Sequence, residues 1–152
     1  MIRRIIQMPD KRLRQVSVPV VSLPGESFEL APEIKTVIDD LLATRISGRG
    51  AALAAPQIGE HVRVVVVDPK LFYGFLVLIN PEITQRGKQI VKSSEGCMSI
   101  GMGTIKFTVQ RNQVVTVKFL TRNGTEKTVV AKGLPAYLIQ HEIDHLDGKM
   151  IA

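Results

Sequence analysis

Two histidines four residues apart, in His141-Glu142-Ile143-Asp144-His145, constrain this chain more than any other feature. On a helix, positions i and i+4 share a face, so both imidazoles can aim at one ion with Glu142 beside them as a carboxylate base. The surrounding pattern agrees, because Leu134, Tyr137, Leu138, His141 and His145 fall on one face of a helix entered around Pro135 and ended near Gly148. Hydrolytic metal centres of this type use three protein ligands and keep a fourth position for water. Only seven residues follow His145, too few for a downstream helix to supply a carboxylate. In the extended pattern HExxHxxGxxH, Gly148 fits the glycine, but Ile151 stands where the last histidine belongs. The third ligand is therefore expected upstream.

Two upstream residues qualify. His61 opens the apolar run Val62 to Val67 beside Gly59 and Glu60, and reads as a polar residue at a strand edge. Cys97 is the only cysteine, in Ser94-Glu95-Gly96-Cys97-Met98-Ser99. A thiolate is a strong ligand for soft and borderline metals, and Gly96 lets the backbone bend tightly to present it. A lone cysteine is usually a small buried hydrophobe. Beside two histidines that lack a downstream partner, the ligand reading is the better one. Glu95 and Asp144 read as supporting or ion-pairing carboxylates and carry no assigned chemistry.

The chain has 152 residues, of which 45% are hydrophobic and 22% charged, the composition of one globular domain spanning 1–152. No apolar run approaches the ~18 residues of a membrane span, and the basic start lacks a signal-peptide core. One cysteine forms no internal disulfide, which predicts a reducing cytoplasm. The net charge of +6 is spread from Arg3 to Lys149, as expected of a solvated basic surface rather than a nucleic-acid face.

Ile34, Val37, Ile38, Leu41, Leu42 and Ile46 follow helical steps, predicting a helix over 33–46 entered at Pro32 and stopped near Gly48. Strands are predicted at 62–67, 75–79, 105–109, 114–120 and 125–131, with Asn123-Gly124 signalling a two-residue hairpin between the last two. Consecutive strands between two helices place the chain in the α+β class, with mostly antiparallel sheets packed around a central metal-binding HExxH helix and one N-terminal helix. The glycine-rich stretch Gly48-Arg49-Gly50-Ala51-Ala52 follows a helix and lacks the Gly-Lys-Ser/Thr of a phosphate loop, so it is no nucleotide site.

With these residues assembled, the chain resembles the peptide deformylases, which remove the formyl group from the N-terminal formylmethionine of nascent chains. That family carries a GxGLAAxQxG loop, an EGCLS turn and a QHExDH helix. Here they correspond to Gly50-Ala51-Ala52-Leu53-Ala54-Ala55-Pro56-Gln57-Ile58-Gly59, Glu95-Gly96-Cys97-Met98-Ser99 and Gln140-His141-Glu142-Ile143-Asp144-His145. Pro9-Asp10-Lys11-Arg12-Leu13-Arg14 is similar to the family's PDxRLR opening, so the resemblance runs over nearly the whole chain. Three positions depart from the pattern. Ala52 replaces the second loop glycine, Met98 the usual leucine, and Gly101 a proline common after the turn. Met for Leu conserves volume. Ala52 is expected either to narrow the cleft or to forbid a positive φ, touching substrate affinity more than chemistry.

The resemblance implies a ligand set of Cys97, His141 and His145 around one divalent ion, natively Fe²⁺, with Zn²⁺, Ni²⁺ or Co²⁺ able to substitute. One thiolate and two neutral imidazoles leave such an ion a net charge of about +1, which acidifies its water. The activated water attacks the formyl carbon, Glu142 shuttles the proton to the departing amine, and formate leaves. The resemblance gives oxyanion stabilisation to Gln57 and the Met98 N–H, and substrate docking to Ala52 and Gly96. Tyr137 and Leu138, one turn before His141, are candidates both for an apolar methionine pocket and for ordinary core packing.

The expected partners are formylmethionyl nascent peptides and, by weak electrostatics, the ribosome; no membrane is expected, and the chain reads as a monomer. Similar bacterial enzymes continue into a C-terminal helix associated with ribosome docking, and short forms without it resemble phage-encoded members. Two other classes remain open on the residues: an HExxH metallo-peptidase acting on unformylated peptides, and a catalytically impaired binding module that keeps its metal as a staple.

Overall fold

The computed structural model describes residues 1–152. Helix α1, Pro32–Gly48, begins with proline at the first turn, where a missing N–H costs nothing. It ends at Arg49, whose left-handed φ of 55° returns an N–H to the carbonyls of Arg45 and Ile46. Val37, Ile38 and Leu41 form its buried face. Asp40 and Thr44 are buried beside them because the N-terminal segment needs partners there: Asp40 accepts from Arg3 Nη1 at 3.1 Å and from the Met1 ammonium at 3.0 Å, and Thr44 Oγ1 accepts from Arg3 N at 2.8 Å.

Seven strands follow: β1 Ala52–Ala54, β2 Val64–Val67, β3 Val77–Arg86, β4 Ile90–Glu95, β5 Phe107–Asn112, β6 Val114–Leu120 and β7 Glu126–Lys132. Helix α2, Leu134–Leu146, closes the order. Five strands make an antiparallel sheet in the order β1-β2-β3-β6-β7, and β4-β5 make a separate two-stranded antiparallel ribbon. The class is thus the expected α+β with antiparallel sheets.

The four valines of β2 are completely buried because both faces of this strand are covered. Val64 and Val66 pack with α1 residues Val37, Ile38 and Leu41. Val65 and Val67 pack with α2 residues Ala136, Ile139, Ile143 and Leu146. A continuous apolar run, not an alternating one, is the signature of such a strand. The sheet is therefore a partition with one helix on each side, and α2 sits over the β1-β2 end, where the predicted site residues lie.

The differences from expectation have local causes. β3 runs on through Pro81 to Arg86, where the sequence pattern predicts an end at Ile79, because the ladder to β6 shifts register between Ile79 and Glu82. Such an irregularity is where a strand tolerates proline. Asn80 takes φ 51° there and clasps Val20, accepting from its N–H at 2.7 Å and donating to its carbonyl at 2.8 Å. The Asn123-Gly124 hairpin has a three-residue loop rather than two: Thr121 N donates to Thr125 O, and only Gly124 has positive φ, 86°. A primed two-residue turn would need both residues left-handed. β1 and β4 are absent from the sequence prediction, β1 because it is three residues long, β4 because Ile90 to Glu95 is mostly polar and half-exposed.

Candidate metal centre

α2 carries half of the site. His141 and His145 stand one turn apart with their Nε2 atoms 3.1 Å from each other, and both rings are buried. The other half arrives at the end of β4. Cys97 and Ile100 form an antiparallel bridge that folds Met98 and Ser99 into a tight turn, and Cys97 Sγ lies 3.4 Å from His145 Nε2. One donor atom from each of Cys97, His141 and His145 lies within 4.8 Å of the other two, and all three residues are buried. His61 is elsewhere, half-buried outside any strand, with Nε2 at 2.8 Å from the Arg12 carbonyl.

This donor set fits a divalent ion. A thiolate and two imidazoles are ligands for soft and borderline metals, and three of them leave an open tetrahedral position. Beside them Glu142 is buried, and its Oε1 has no hydrogen-bond partner. An orphaned carboxylate oxygen next to three converging donors is explained when a water or substrate atom belongs between them.

The imidazole of His141 is held by a buried ionic network. Its Nδ1 is 2.8 Å from Glu95 Oε1, and a carboxylate can only accept, so Nδ1 carries the proton and Nε2 faces the donor cluster. Glu95 is gripped in turn by Arg111, which donates Nη2 to Oε1 at 2.8 Å and Nε to Oε2 at 3.0 Å. Arg111 Nη1 reaches Asp144 Oδ2 at 2.8 Å, tying β4, β5 and α2 together. The expected supporting role of Glu95 and Asp144 matches this geometry. Arg111 is not legible in the sequence: Gln110-Arg111-Asn112 looks like a solvated strand end, and the sole signal is that two carboxylates beside a metal helix need a cation. Gln140 adds a second tie from α2 to β5, accepting from Asn112 N at 3.0 Å and donating to Asn112 O at 2.8 Å.

The charges respond to this arrangement. Burial alone would raise the Glu95 pKa, but hydrogen bonds from His141 and Arg111 and the Arg111 charge bring it down to about 2. Burial likewise works against a charged His141, yet hydrogen bonds to Cys97 and Glu95 and the charges of Glu142 and Cys97 push its pKa up to about 10. His145 moves the other way, kept neutral by burial and by the positive charges of His141 and Arg111. Burial pushes Glu142 up to about 7, against the pull of His141.

Gln57 enters from a 3₁₀ turn, Ala55–Ile58, directly after β1. Its amide is fixed at both ends: Oε1 accepts from Ala54 N at 2.9 Å, and Nε2 donates to Ser99 Oγ at 3.1 Å and points at Cys97 Sγ at 3.7 Å. Ser99, completely buried, is a second supporting residue that the sequence reading did not single out. The Met98 N–H donates to no protein acceptor, whereas its carbonyl accepts from Gln7 Nε2 at 2.8 Å. The Met98 side chain fills a notch left by two glycines; a Cβ on Gly50 would stand 2.1 Å from its Sδ, and one on Gly48 2.3 Å from its Cε.

A cavity of about 300 Å³ opens onto the cluster, lined by Ala52, Gln57, Gly96, Cys97, Met98, Tyr137, Leu138, His141 and Glu142 among others. Tyr137 and Leu138 line this cavity and also pack against the apolar cluster on the α2 side of the sheet, so the core-packing expectation for them holds. Two local expectations change, and one departure from the family pattern finds its reason. Ala52 pairs with Val67 in the β1-β2 ladder at an ordinary negative φ, and its methyl joins the α2-side core, so no positive φ is forbidden. Gly96 is required by closeness rather than by a sharp bend, since a Cβ there would meet the Gly103 carbonyl at 2.7 Å. Gly101 has φ 56°, which proline cannot adopt, so this departure suits the turn it occupies.

Comparison with known proteins points one way. The family model for polypeptide deformylase matches residues 2–152. A peptide deformylase of Xylella fastidiosa strain M12 is 40% identical over 148 residues, covering 96% of this chain and 82% of the relative. One from Buchnera aphidicola subsp. Cinara cedri is 37% identical over 150 residues, covering 98% of this chain and 95% of the relative. Among solved structures, a peptide deformylase from Legionella pneumophila superposes with a TM-score of 0.84 at 37% identity, covering 99% and 84% of the two chains. The actinonin-bound class I type b peptide deformylase from Acinetobacter baumannii gives 0.85 at 28% identity, covering 99% and 96%. The chain belongs to the polypeptide deformylase family and is a deformylase, a hydrolase of formylated peptides; the peptidase and metal-stapled alternatives are not favoured.

Proposed function

We propose that Cys97, His141 and His145 hold the catalytic metal of this deformylase, natively Fe²⁺, and that Glu142, Gln57 and Met98 carry the proton and oxyanion chemistry. The observation that carries this reading is the three buried donors within 4.8 Å of one another beside the unpartnered Glu142 Oε1. A divalent ion held by Cys97, His141 and His145 would supply Lewis acidity and so acidify the attacking water. Glu142 takes the proton of the attacking water and returns it to the methionine nitrogen as the formyl C–N bond breaks. Burial, which raises the pKa of Glu142, suits a group that must both accept and donate a proton.

The amide of Gln57 and the free Met98 N–H donate to the oxygen on which charge develops. Both donors are fixed before substrate arrives, Gln57 by Ala54 and Ser99, Met98 by its side chain in the glycine notch and its carbonyl on Gln7. That preorganisation is what makes such donors effective in a site shielded from water. Tyr137 and Leu138 form the apolar side of the cleft for the methionine side chain, and Ala52 and Gly96 border the path of the peptide backbone. No helix is long and apolar enough to cross a membrane. A monomeric, cytoplasmic single-domain enzyme acting on nascent chains, with weak electrostatic attraction to the ribosome through its net charge of +6, completes the proposal.

The test compares formyl-Met-Ala-Ser, acetyl-Met-Ala-Ser and free Met-Ala-Ser as substrates, with elemental analysis of protein purified without oxygen. Release of formate from the first peptide alone, with one iron per chain, is the expected result. Cleavage of the free peptide would instead favour a peptidase.

A further inference from the structure

We infer that Lys106 is a specificity-determining cation at the mouth of the cleft, selecting formyl peptides that carry a carboxylate one or two residues after the methionine. This rests on the deformylase reading of the same cleft. Among the residues lining it, Lys106 is the one lysine or arginine. The two carboxylates on the same wall are occupied: Glu95 is held by Arg111 and His141, and Glu142 is buried against the metal donors. Lys106 itself makes no ion pair, so the cleft mouth presents a single uncompensated positive charge.

Its position is specific. The ammonium lies over Gly96, so close that a Cβ built on that glycine would be 3.0 Å from Nζ. Gly96 immediately precedes Cys97 and lines the same cavity, so a peptide whose formyl group sits at the metal donors and whose backbone borders Gly96, as proposed above, passes beneath this ammonium. The second and third residues of the substrate are therefore the ones whose side chains come within reach of a four-carbon lysine stem. An exposed ammonium attracts a carboxylate weakly but selectively, and the attraction is screened by salt.

A carboxylate can come from an acidic side chain or from the free end of a short peptide, and the experiment separates them. Steady-state kinetics are measured on wild-type holoenzyme and on Lys106→Met and Lys106→Glu, using formyl-Met-Ala-Ser-amide, formyl-Met-Asp-Ser-amide, formyl-Met-Ala-Asp-amide and formyl-Met-Ala-Ser with a free carboxyl end. Methionine keeps an apolar stem of similar length, and the readout is the ratio of kcat/KM for each acidic peptide to the neutral amide within one protein, so a general loss of activity cancels. For wild type the ratio for at least one aspartyl peptide should reach up to about 5, the scale of a partly exposed ion pair, acting through KM. It should fall to about 1 in Lys106→Met, drop below 1 in Lys106→Glu, and shrink in wild type as salt rises. Equal ratios in wild type and Lys106→Met would overturn the inference, as would a preference confined to the free carboxyl end, since a nascent chain has none. If the neutral amide is not deformylated by wild type, the deformylase reading fails first and the inference with it.

Discussion

The two halves of the metal centre are built differently. His141, Glu142 and His145 come from thirteen residues of one helix, whose 3.6-residue period alone brings the two imidazoles to the same face. Cys97, Gln57 and Glu95 come from a turn, a 3₁₀ segment and the end of a ribbon strand, and nothing local aligns them. Their geometry rests on contacts between residues 40 apart, for Gln57 with Cys97, and 46 apart, for Glu95 with His141. A helix fixes ligand spacing through its own backbone, whereas a loop-borne ligand is as precise as the long-range network that holds it. Loss of a proposed ligand should therefore abolish function outright, and damage to the long-range network behind the ligands should loosen it by degrees.

The largest effect is expected from His141→Ala, which removes one of the three proposed ligands and the terminus of the Glu95-Arg111 network together. Metal affinity should fall by more than the ~10²-fold typical of losing a supporting partner, and activity with it. Full metal occupancy measured by elemental analysis in this variant would show that the helix half is not the anchor. Glu142→Gln comes next. It leaves the donor set intact, so metal stoichiometry should stay at the wild-type value while kcat drops by about 10² or more. Wild-type turnover would place the base elsewhere.

Glu95→Gln probes the network side. An amide cannot hold both the His141 Nδ1–H and the Arg111 fork as a carboxylate does, so metal affinity should weaken by about 10- to 100-fold in a competition titration with a chelator. The same variant should flatten the acid limb of stability. The folded-state pKa of Glu95, about 2, lies below its ordinary 4.5, so its contribution is full above about pH 4.5 and is lost as pH falls through about 2. Chemical denaturation at several pH values between those limits should show a shallower decline for Glu95→Gln; identical slopes would mean that the network holds geometry without contributing stability.

The smallest effect is expected at Ala52. Its methyl belongs to the α2-side core, so Ala52→Gly should cost up to ~1 kcal/mol in a thermal melt, the usual penalty for glycine inside a strand, and leave KM for a formyl-methionyl tripeptide within about twofold. A clearly lower KM would show instead that the methyl crowds the substrate path.

The legible part of this protein follows the same division. The limits of α1 and α2 are legible to within a few residues, because proline and glycine mark their ends and apolar spacing marks their faces. β6 is legible at its full length, 114–120, because seven residues rich in β-branched side chains leave little ambiguity. β1 and β4 were invisible, since a strand of three residues and one of mostly polar residues acquire their state from partners, not from pattern. Cys97 could be singled out by elimination, yet its place beside His145 depends on the bridge to Ile100 and on the notch at Gly48 and Gly50 that seats Met98.

By itself, then, the sequence determined the donor types that converge, the helix that carries two of them, and the antiparallel α+β class, because those depend on side-chain chemistry and on interactions within a few residues. The tertiary structure alone decided that Arg111 is the cation between Glu95 and Asp144, that Gln57 is locked by Ala54 and Ser99, and that Lys106 hangs over Gly96. Each of these joins residues far apart in the chain. Only the register of paired strands and the packing of α2 against the sheet bring such residues within hydrogen-bonding distance, and no local periodicity encodes that register.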